Sequence, residues 1–270
     1  MVTDRRFVGT YAVSGAASGI GAATRSRLES AGHRVIGVDL TDAEVTTDLA
    51  TDARRRSAID QVNDRCGGRL DGLVTAAGVS VPAPAERIVR VNFFGSRRLL
   101  EGLRPALAAA TDSRAVQLGS HAATITPGLP DDLVEALLDD DEEIAVGTLG
   151  RQPAEWAQGL AYGATKLAIA RWIRREAPTP AWIGTGVSLN ALMPGPVLTP
   201  LLEAGYDDPV YGPLASALPV PAGRPAAADL IAQWIEFLLG PAAGFACGAT
   251  IYVDGGTDAL IRPDDWPTTA

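Results

Sequence analysis

The sequence predicts an α/β protein built on a doubly wound parallel sheet with helices on both faces. Three observations lead there. Short apolar runs alternate with helix-period segments along the 270 residues. Most of those runs lack the in-and-out alternation of a half-solvated strand, as expected where both faces of a sheet are covered. The first run, "TYAVS", is followed at once by "SGAASGIG", residues 14–21, and then by a helical pattern.

The elements follow in order. Strands are expected at 10–14, 34–38, 71–76, 114–119, 183–191 and 249–253. Helices are expected at 19–31, 52–65, 86–109, 154–177 and 226–239. The first helix places Ile20, Ala23, Leu28 and Ala31 on one face. The last places Leu230, Ile231, Trp234, Ile235, Leu238 and Leu239 on one continuous apolar face. No internal repeat or linker divides the chain, so one domain spanning 1–270 is expected, an ordinary size for this class. The Pro-rich stretch 194–225 reads as a long loop, and loops of that length are usually functional.

Composition removes several function classes. Apolar residues make up 47% of the chain, enough for a full core, yet no run approaches a membrane-spanning length. The opening "MVTDRRFVG" has no apolar signal core, so no secretory leader is expected. Two cysteines, Cys66 and Cys247, suggest reduced thiols in a cytoplasmic protein. The net charge of −9 argues against nucleic acid as a partner. No His, Cys or acid cluster has metal-ligand spacing, and "DDDEE" at 139–143 reads as a solvated run. Residues 124–155 hold nine acids and one base, Arg151, so nearly the whole excess charge lies there. That segment reads as an added element with its own surface.

The glycine segment has a chemical reading. Gly15, Gly19 and Gly21 suit a turn with positive φ or a close approach to the backbone. The free N–H groups of the following helix's first turn form an anion site. Alone, this pattern also fits any tight strand-to-helix turn. The second strand, however, ends in Asp39, 18 positions after Gly21. An acid there accepts hydrogen bonds from ribose hydroxyls and repels a 2′-phosphate, which favours NAD over NADP. Further on, "YGATK" sets Tyr162 and Lys166 four apart on one helical face. A free phenol titrates near pH ~10, and a neighbouring ammonium favours its ionised form.

Together these residues resemble the short-chain dehydrogenase/reductase family over nearly the whole chain. The resemblance implies a Rossmann-type fold. Its cofactor turn would be Gly15, Ser18, Gly19, Ile20 and Gly21. "TAAG" at 75–78 is similar to the family's Asn-Asn-Ala-Gly segment, with Thr75 and Ala76 in place of the two asparagines and with Ala77 and Gly78 retained. The departure weakens whatever those amides contribute to bracing the sheet. "TTDLA" puts Asp48 and Leu49 where the family contacts adenine. "VNFFG" offers Asn92, and "AVQLGSHAA" offers Ser120 at the end of the fifth strand. "MPGPVLTP" offers Pro194, Gly195, Val197 and Thr199 beside the nicotinamide.

The resemblance also implies roles. Ser120 would bind the substrate oxygen and Tyr162 would transfer its proton. Lys166 would tune Tyr162 and hold the nicotinamide ribose, and Asn92 would position a water linking Lys166 to solvent. The expected substrate is a small alcohol or ketone.

Ser120 and Tyr162 lie 42 positions apart, more than in many family members, and 124–155 supplies the excess. This arrangement resembles the 3α-hydroxysteroid dehydrogenase/carbonyl reductase branch, which implies an alicyclic or steroid-like substrate and a substrate loop at about 196–224. Two alternatives stay open: a same-fold enzyme of different chemistry, dehalogenase- or epimerase-like, and a non-enzymatic NAD-binding sensor. Strand alternation turns His121 away from Ser120. Trp156 either lines the substrate cleft or packs the insertion.

Many family members form tetramers through the long helices after the fourth and fifth strands. Here Leu133, Val134, Leu137 and Leu138 give the insertion an apolar face for its own subunit, leaving its acidic face outward. Two such faces would repel across a symmetry axis. The expectation is therefore a homodimer through the last strand and helix 226–239. A tetramer survives if the insertion instead flanks the cleft as a lid.

Overall fold

A computed structural model describes residues 8–265, so the reading of the first seven residues lies outside it. The apolar runs form a seven-stranded sheet, every neighbouring pair parallel. The strands are β1 (Thr10–Ser14), β2 (Arg34–Asp39), β3 (Val45–Thr46), β4 (Gly72–Thr75), β5 (Arg114–Leu118) and β6 (Ser188–Pro194). A two-stranded pair, β7 (Val197–Leu198) and β8 (Ala226–Ala227), stands apart, and β9 (Thr250–Val253) completes the main sheet. The main order is β3-β2-β1-β4-β5-β6-β9. The chain winds outward one way from β1 and the other way from β4. That reversal makes a crevice at the carboxyl ends, where such sheets bind ligands. Register aligns Ser14 with Val38 and Thr75, Thr75 with Gln117, and Leu118 with Leu192.

Two layers of helices cover the sheet. On one face lie α1 (Gly19–Ser30) and, later in the chain, the helix Ala228–Leu239. On the other lie α2 (Asp52–Cys66), the rod 85–108, and the long helix Ala157–Glu176. The rod, expected as a single helix over 86–109, has three parts. These are α3 (Ala85–Val89), a π-helical turn Arg90–Gly95, and α4 (Ser96–Ala108). The widened turn contains Asn92. π turns of this kind insert one residue into a helix and cluster at functional sites.

The strand expected at 183–191 begins later. Ile183–Thr185 is a 3₁₀ turn closed by Gly186 at φ 81°, a left-handed conformation that ends it. Trp182, packed edge-on against Trp172 at 6.1 Å, anchors that turn beneath the sheet. His33 is half-buried: its Nδ1 accepts the Gly9 N–H at 3.1 Å and its ring leans on Tyr11.

The insertion folds into α5 (Ala122–Ile125), α6 (Asp131–Leu138) and α7 (Glu142–Leu149), ahead of α8 (Ala157–Glu176). Leu133, Val134 and Leu137 are buried and Leu138 partly so, and α6 packs on α8. Four of the nine acids form ion pairs, while Asp131, Glu135, Asp139 and Glu155 stay exposed. Glu142 pairs with Arg55 at 2.6 Å and Arg90 at 2.7 Å, and Glu143 pairs with Arg90 at 3.2 Å. Asp140 meets Arg98 at 2.9 Å and Arg97 at 3.3 Å, and Asp132 meets Arg151 at 2.8 Å. Arg55 on α2, Arg90 in the π turn, and Arg97 and Arg98 on α4 take up part of this charge, a long-range pairing that a count along the chain does not reveal.

The stretch 196–224 carries two short helices, α9 (Pro200–Tyr206) and α10 (Tyr211–Ala217). The helix α11 (Ala228–Leu239) buries Ile231, Ile235, Leu238 and Leu239 against α1, but leaves Leu230, Trp234 and Phe237 exposed. Its apolar surface is wider than α1 can cover. A last helix, α12 (Thr257–Ile261), packs on α5. Among the described residues no helix is long and apolar enough to cross a membrane.

Candidate active site

At the crevice the chain turns from β1 into α1. Gly15 sits at φ 72° and Gly19 at φ 52°. A Cβ on Gly15 would lie 2.8 Å from the Ala77 nitrogen, and one on Gly21 would lie 2.0 Å from the Gly15 oxygen. Only glycine fits either place. Ser18 starts α1 without capping it, so the first-turn N–H donors have no side-chain acceptor. Gly15, Ser18, Gly19, Ile20 and Gly21 all line one cleft, together with Asp39, Asp48 and Leu49. Ala77, Gly78 and Thr199 close its other side.

Asp39 is set for two tasks. Its Oδ2 accepts the Ala17 N–H at 2.8 Å, tying the second strand to the glycine turn. Arg25, the nearby base on α1, is engaged by Glu29 at 2.9 Å and Glu44 at 2.6 Å. It is therefore not free to neutralise a 2′-phosphate. Asp48 pairs with Arg87 at 2.9 Å and accepts the Ala50 N–H at 3.0 Å. Burial works to raise its pKa, but the Arg87 and Ala50 hydrogen bonds outweigh it and hold the carboxyl below the usual range. This donor and glycine set fits a dinucleotide: N–H groups for a pyrophosphate, a carboxylate for ribose, and, among the described lining residues, a base, Arg87, already paired with Asp48.

The two replaced asparagines have substitutes. Ser14 Oγ accepts both the Ala76 and Ala77 N–H groups at 3.1 Å, bracing β1 against the chain after β4. Thr75 Oγ1 donates to Gln117 Oε1 at 2.6 Å, and Gln117 Nε2 donates to the Leu118 oxygen at 2.8 Å. Sequence reading passed over both Ser14 and Gln117. Their signal was available: polar side chains inside otherwise apolar strands.

The catalytic candidates converge where this cleft opens into a second cavity. Ser120 ends the fifth strand's run, and its Oγ accepts the Ala122 N–H at 3.2 Å. Tyr162 on α8 is hydrogen-bonded to Ser120. Burial pushes the phenol up, and the Ser120 hydroxyl opposes that. Lys166, one turn further, donates from Nζ to the Leu118 oxygen at 3.2 Å and lies 5.5 Å from the Tyr162 ring centre. Burial lowers its pKa to about 8.

Asn92 is buried within the π turn. Its Oδ1 accepts the Val79 N–H and its Nδ2 donates to the Val79 oxygen, both at 2.8 Å. The amide braces the backbone beside Gly78. A Cβ on Gly78 would lie 3.3 Å from Asn92 Oδ1 and 3.9 Å from Lys166 Nζ, so this glycine keeps the wall close.

The second cavity measures about 840 Å³ and is mainly apolar, lined by Val81, Ile125, Trp156, Leu160, Leu202 and Leu214 among others. Ser120, Tyr162 and Lys166 stand at its base, beside Pro194, Gly195, Val197 and Thr199. A Cβ on Gly195 would press within 2.7 Å of Asp254 Cα. Trp156 lines this cavity. The His121 ring is buried, with Nδ1 3.8 Å from Asp254 Oδ2. Burial lowers its pKa, opposed by Asp254 and Asp258.

Comparison with known proteins agrees with this geometry. A family model described as "short chain dehydrogenase" matches residues 10–128, and one described as "Enoyl-(Acyl carrier protein) reductase" matches 141–258. The 3-alpha-hydroxysteroid dehydrogenase/carbonyl reductase of Comamonas testosteroni is 40% identical over 93% of this chain and 97% of its own. The chain belongs to the short-chain dehydrogenase family.

Two further relatives of this short-chain dehydrogenase are informative. The crystal structure of the 3-alpha-hydroxysteroid dehydrogenase from Pseudomonas sp. B-0831 complexed with NADH superposes with a TM-score of 0.89. It is 44% identical, over 94% of this chain and 99% of that one. The cis-4-hydroxycyclohexanecarboxylate dehydrogenase of Sinomonas cyclohexanicum is 31% identical over 92% of this chain and 96% of its own. The family matches leave residues 129–140 uncovered, which is α6 with its flanks, the heart of the insertion in this short-chain dehydrogenase.

Proposed function

We propose that the protein is an NAD-dependent oxidoreductase that interconverts a secondary alcohol and a ketone on an alicyclic or steroid-like substrate. One observation carries the reading. Ser120, Tyr162 and Lys166 line an apolar cavity of about 840 Å³ that shares Gly78, Leu118 and Thr199 with the dinucleotide-shaped cleft. Bound NAD supplies the hydride acceptor. Ser120 donates a hydrogen bond to the substrate oxygen, and Tyr162 takes or gives its proton. Lys166, next to Tyr162 and fixed by the Leu118 carbonyl, supports the phenolate. Asn92 holds Val79, and so the Gly78 wall, in place. The same groups serve both directions. Dehydrogenases and reductases among the relatives disfavour the dehalogenase-like, epimerase-like and sensor readings. A panel of cyclic and polycyclic alcohols with NAD, read by absorbance of the reduced cofactor, tests the proposal. No turnover across the panel would overturn it.

Asp39 leads to a cofactor prediction. NAD is preferred to NADP by at least about tenfold, because a carboxylate faces the ribose and Arg25 is already paired. Asp39→Ala loses much of that preference. It also raises the KM for NAD, since Ala17 N–H loses its acceptor. Equal use of NAD and NADP by the unmodified protein would refute the assignment. The roles of Asp48 and Leu49 at adenine, and of Pro194, Gly195, Val197 and Thr199 at nicotinamide, belong to the same proposal.

We infer a homodimer in the cytoplasm. A steric argument joins the charge argument: α6 lies on α8, and α7 lies on α3, against helices that many tetramers pair. Leu230, Trp234 and Phe237 leave an apolar strip on α11, and Phe245 is fully exposed nearby in sequence. Light scattering at physiological salt is expected to give a dimer, and Trp234→Glu a monomer. A stable tetramer would overturn this.

A further inference from the structure

Helix α8 begins without a cap of its own. The first-turn N–H groups of a helix need acceptors from outside, and Trp156 at the N-cap supplies none. One of those donors, the Gly159 N–H, is satisfied from a distant part of the chain. It donates to Tyr211 Oη at 2.6 Å, and Tyr211 lies on α10. The hydroxyl in turn donates to the Trp156 oxygen at 3.1 Å, with the Glu155 oxygen at 3.4 Å. The fit depends on glycine. A Cβ at Gly159 would lie 2.5 Å from Tyr211 Cε1 and 2.6 Å from Oη.

Both ends of the α9–α10 pair are anchored. Thr199, which lines the dinucleotide cleft, caps α9 by accepting the Leu202 N–H at 3.3 Å. Asp208 Oδ1 accepts the N–H groups of Val210 and Tyr211, each at 2.9 Å, and so fixes the start of α10. Gly212 lies so close to the Tyr206 oxygen that a Cβ would sit 2.2 Å from it, which couples the two helices. The paired helices present Leu202, Tyr206, Leu214 and Tyr211 itself to the apolar cavity. Gly159 stands three residues, under one helical turn, ahead of Tyr162.

We propose that Tyr211 is a positioning residue, a latch by which the α9–α10 segment caps the tyrosine-bearing helix and closes the cavity over a bulky apolar substrate. The proposal rests on reading that cavity as the alcohol/ketone site. Closure and helix capping are then one event. A substrate that holds α9–α10 in place also orders the turn that leads into Tyr162, while a small substrate gains less from the latch.

Two variants of the full chain test this. Tyr211→Phe keeps the ring and removes the acceptor. Gly159→Ala raises helix propensity but puts a methyl where the Tyr211 ring lies. In both, the KM for a polycyclic ketone is expected to rise about tenfold, the scale of one N–H left without its acceptor. The KM for cyclohexanone should move less, and the NADH dissociation constant should stay within about twofold. Hydrogen exchange is expected to quicken at the Gly159 amide and across 200–218 by a similar factor, with no fall in melting temperature for Gly159→Ala. A double variant should be no worse than the worse single one, because both remove the same contact. Unchanged exchange in both variants would overturn the latch, whatever happens to KM. If the unmodified protein reduces no ketone, the proposed function fails, and exchange still reports on the latch independently.

Discussion

Tyr162→Phe is expected to lower turnover at least ~100-fold, in the range of general acid–base contributions, while leaving NAD binding nearly unchanged. Tyr162 is half-buried, lines the cavity and is hydrogen-bonded to Ser120. The substitution removes one oxygen and its proton and keeps the ring, so the packing of α8 survives. Ser120 can still donate to the substrate oxygen, but it has no partner to pass a proton on. Lys166→Ala is expected to damage both turnover and cofactor affinity, because Lys166 stands beside Tyr162 and lines the same cavity. Steady-state rates and a fluorescence titration with NADH separate the two effects. Near-normal turnover in Tyr162→Phe would rule the mechanism out.

The second large effect concerns stability. Arg55 on α2 is 1% exposed. Its guanidinium donates to three carbonyls, Leu49 at 2.7 Å, Arg90 at 2.9 Å and Ala50 at 3.1 Å. It also grips Glu142 through both carboxylate oxygens, at 2.6 and 3.0 Å. Arg55→Met leaves those three carbonyls without this donor, and it leaves Glu142 with Arg90 alone. Removing one partner of a buried pair typically costs about 3–5 kcal/mol, and that loss is expected here in urea unfolding. Glu142→Gln should cost less, since Arg55 keeps its carbonyls. A loss below about 1 kcal/mol for Arg55→Met, the scale of a surface pair, would contradict the assignment.

Arg55 also marks where sequence reading stops. The glycine turn, Asp39, and the Tyr162–Lys166 pair are legible because each is local: a strand end, a turn, or two residues one helical turn apart. The order of strands follows from their alternation with helices. What joins Leu49 to Glu142 through Arg55 spans 87 residues between the charged partners, and no spacing rule connects them. The same holds for Ser14 and Gln117, which replace the missing asparagines by contacts across neighbouring strands. Asn92 was found as a residue, but its partner Val79 and the π turn that presents it were not, because one extra residue in a helical turn leaves the apolar pattern nearly unchanged. The helices α9 and α10 were hidden by prolines and glycines that read as loop. Pro200 in fact sits at the helix start, where its missing N–H costs nothing.

The ion pair between Arg55 and Glu142 has a consequence for how portable the added element is. Residues 124–155 look like a cassette that could be excised or transplanted to a shorter relative. Glu142 lies in that cassette, yet its counter-ion holds the Leu49 and Ala50 carbonyls, and Leu49 is a wall of the dinucleotide cleft. The graft boundary therefore runs through the cofactor site. A trimmed chimera would need a new partner for Arg55, or an apolar replacement for it, before it could hold NAD as this chain is built to do.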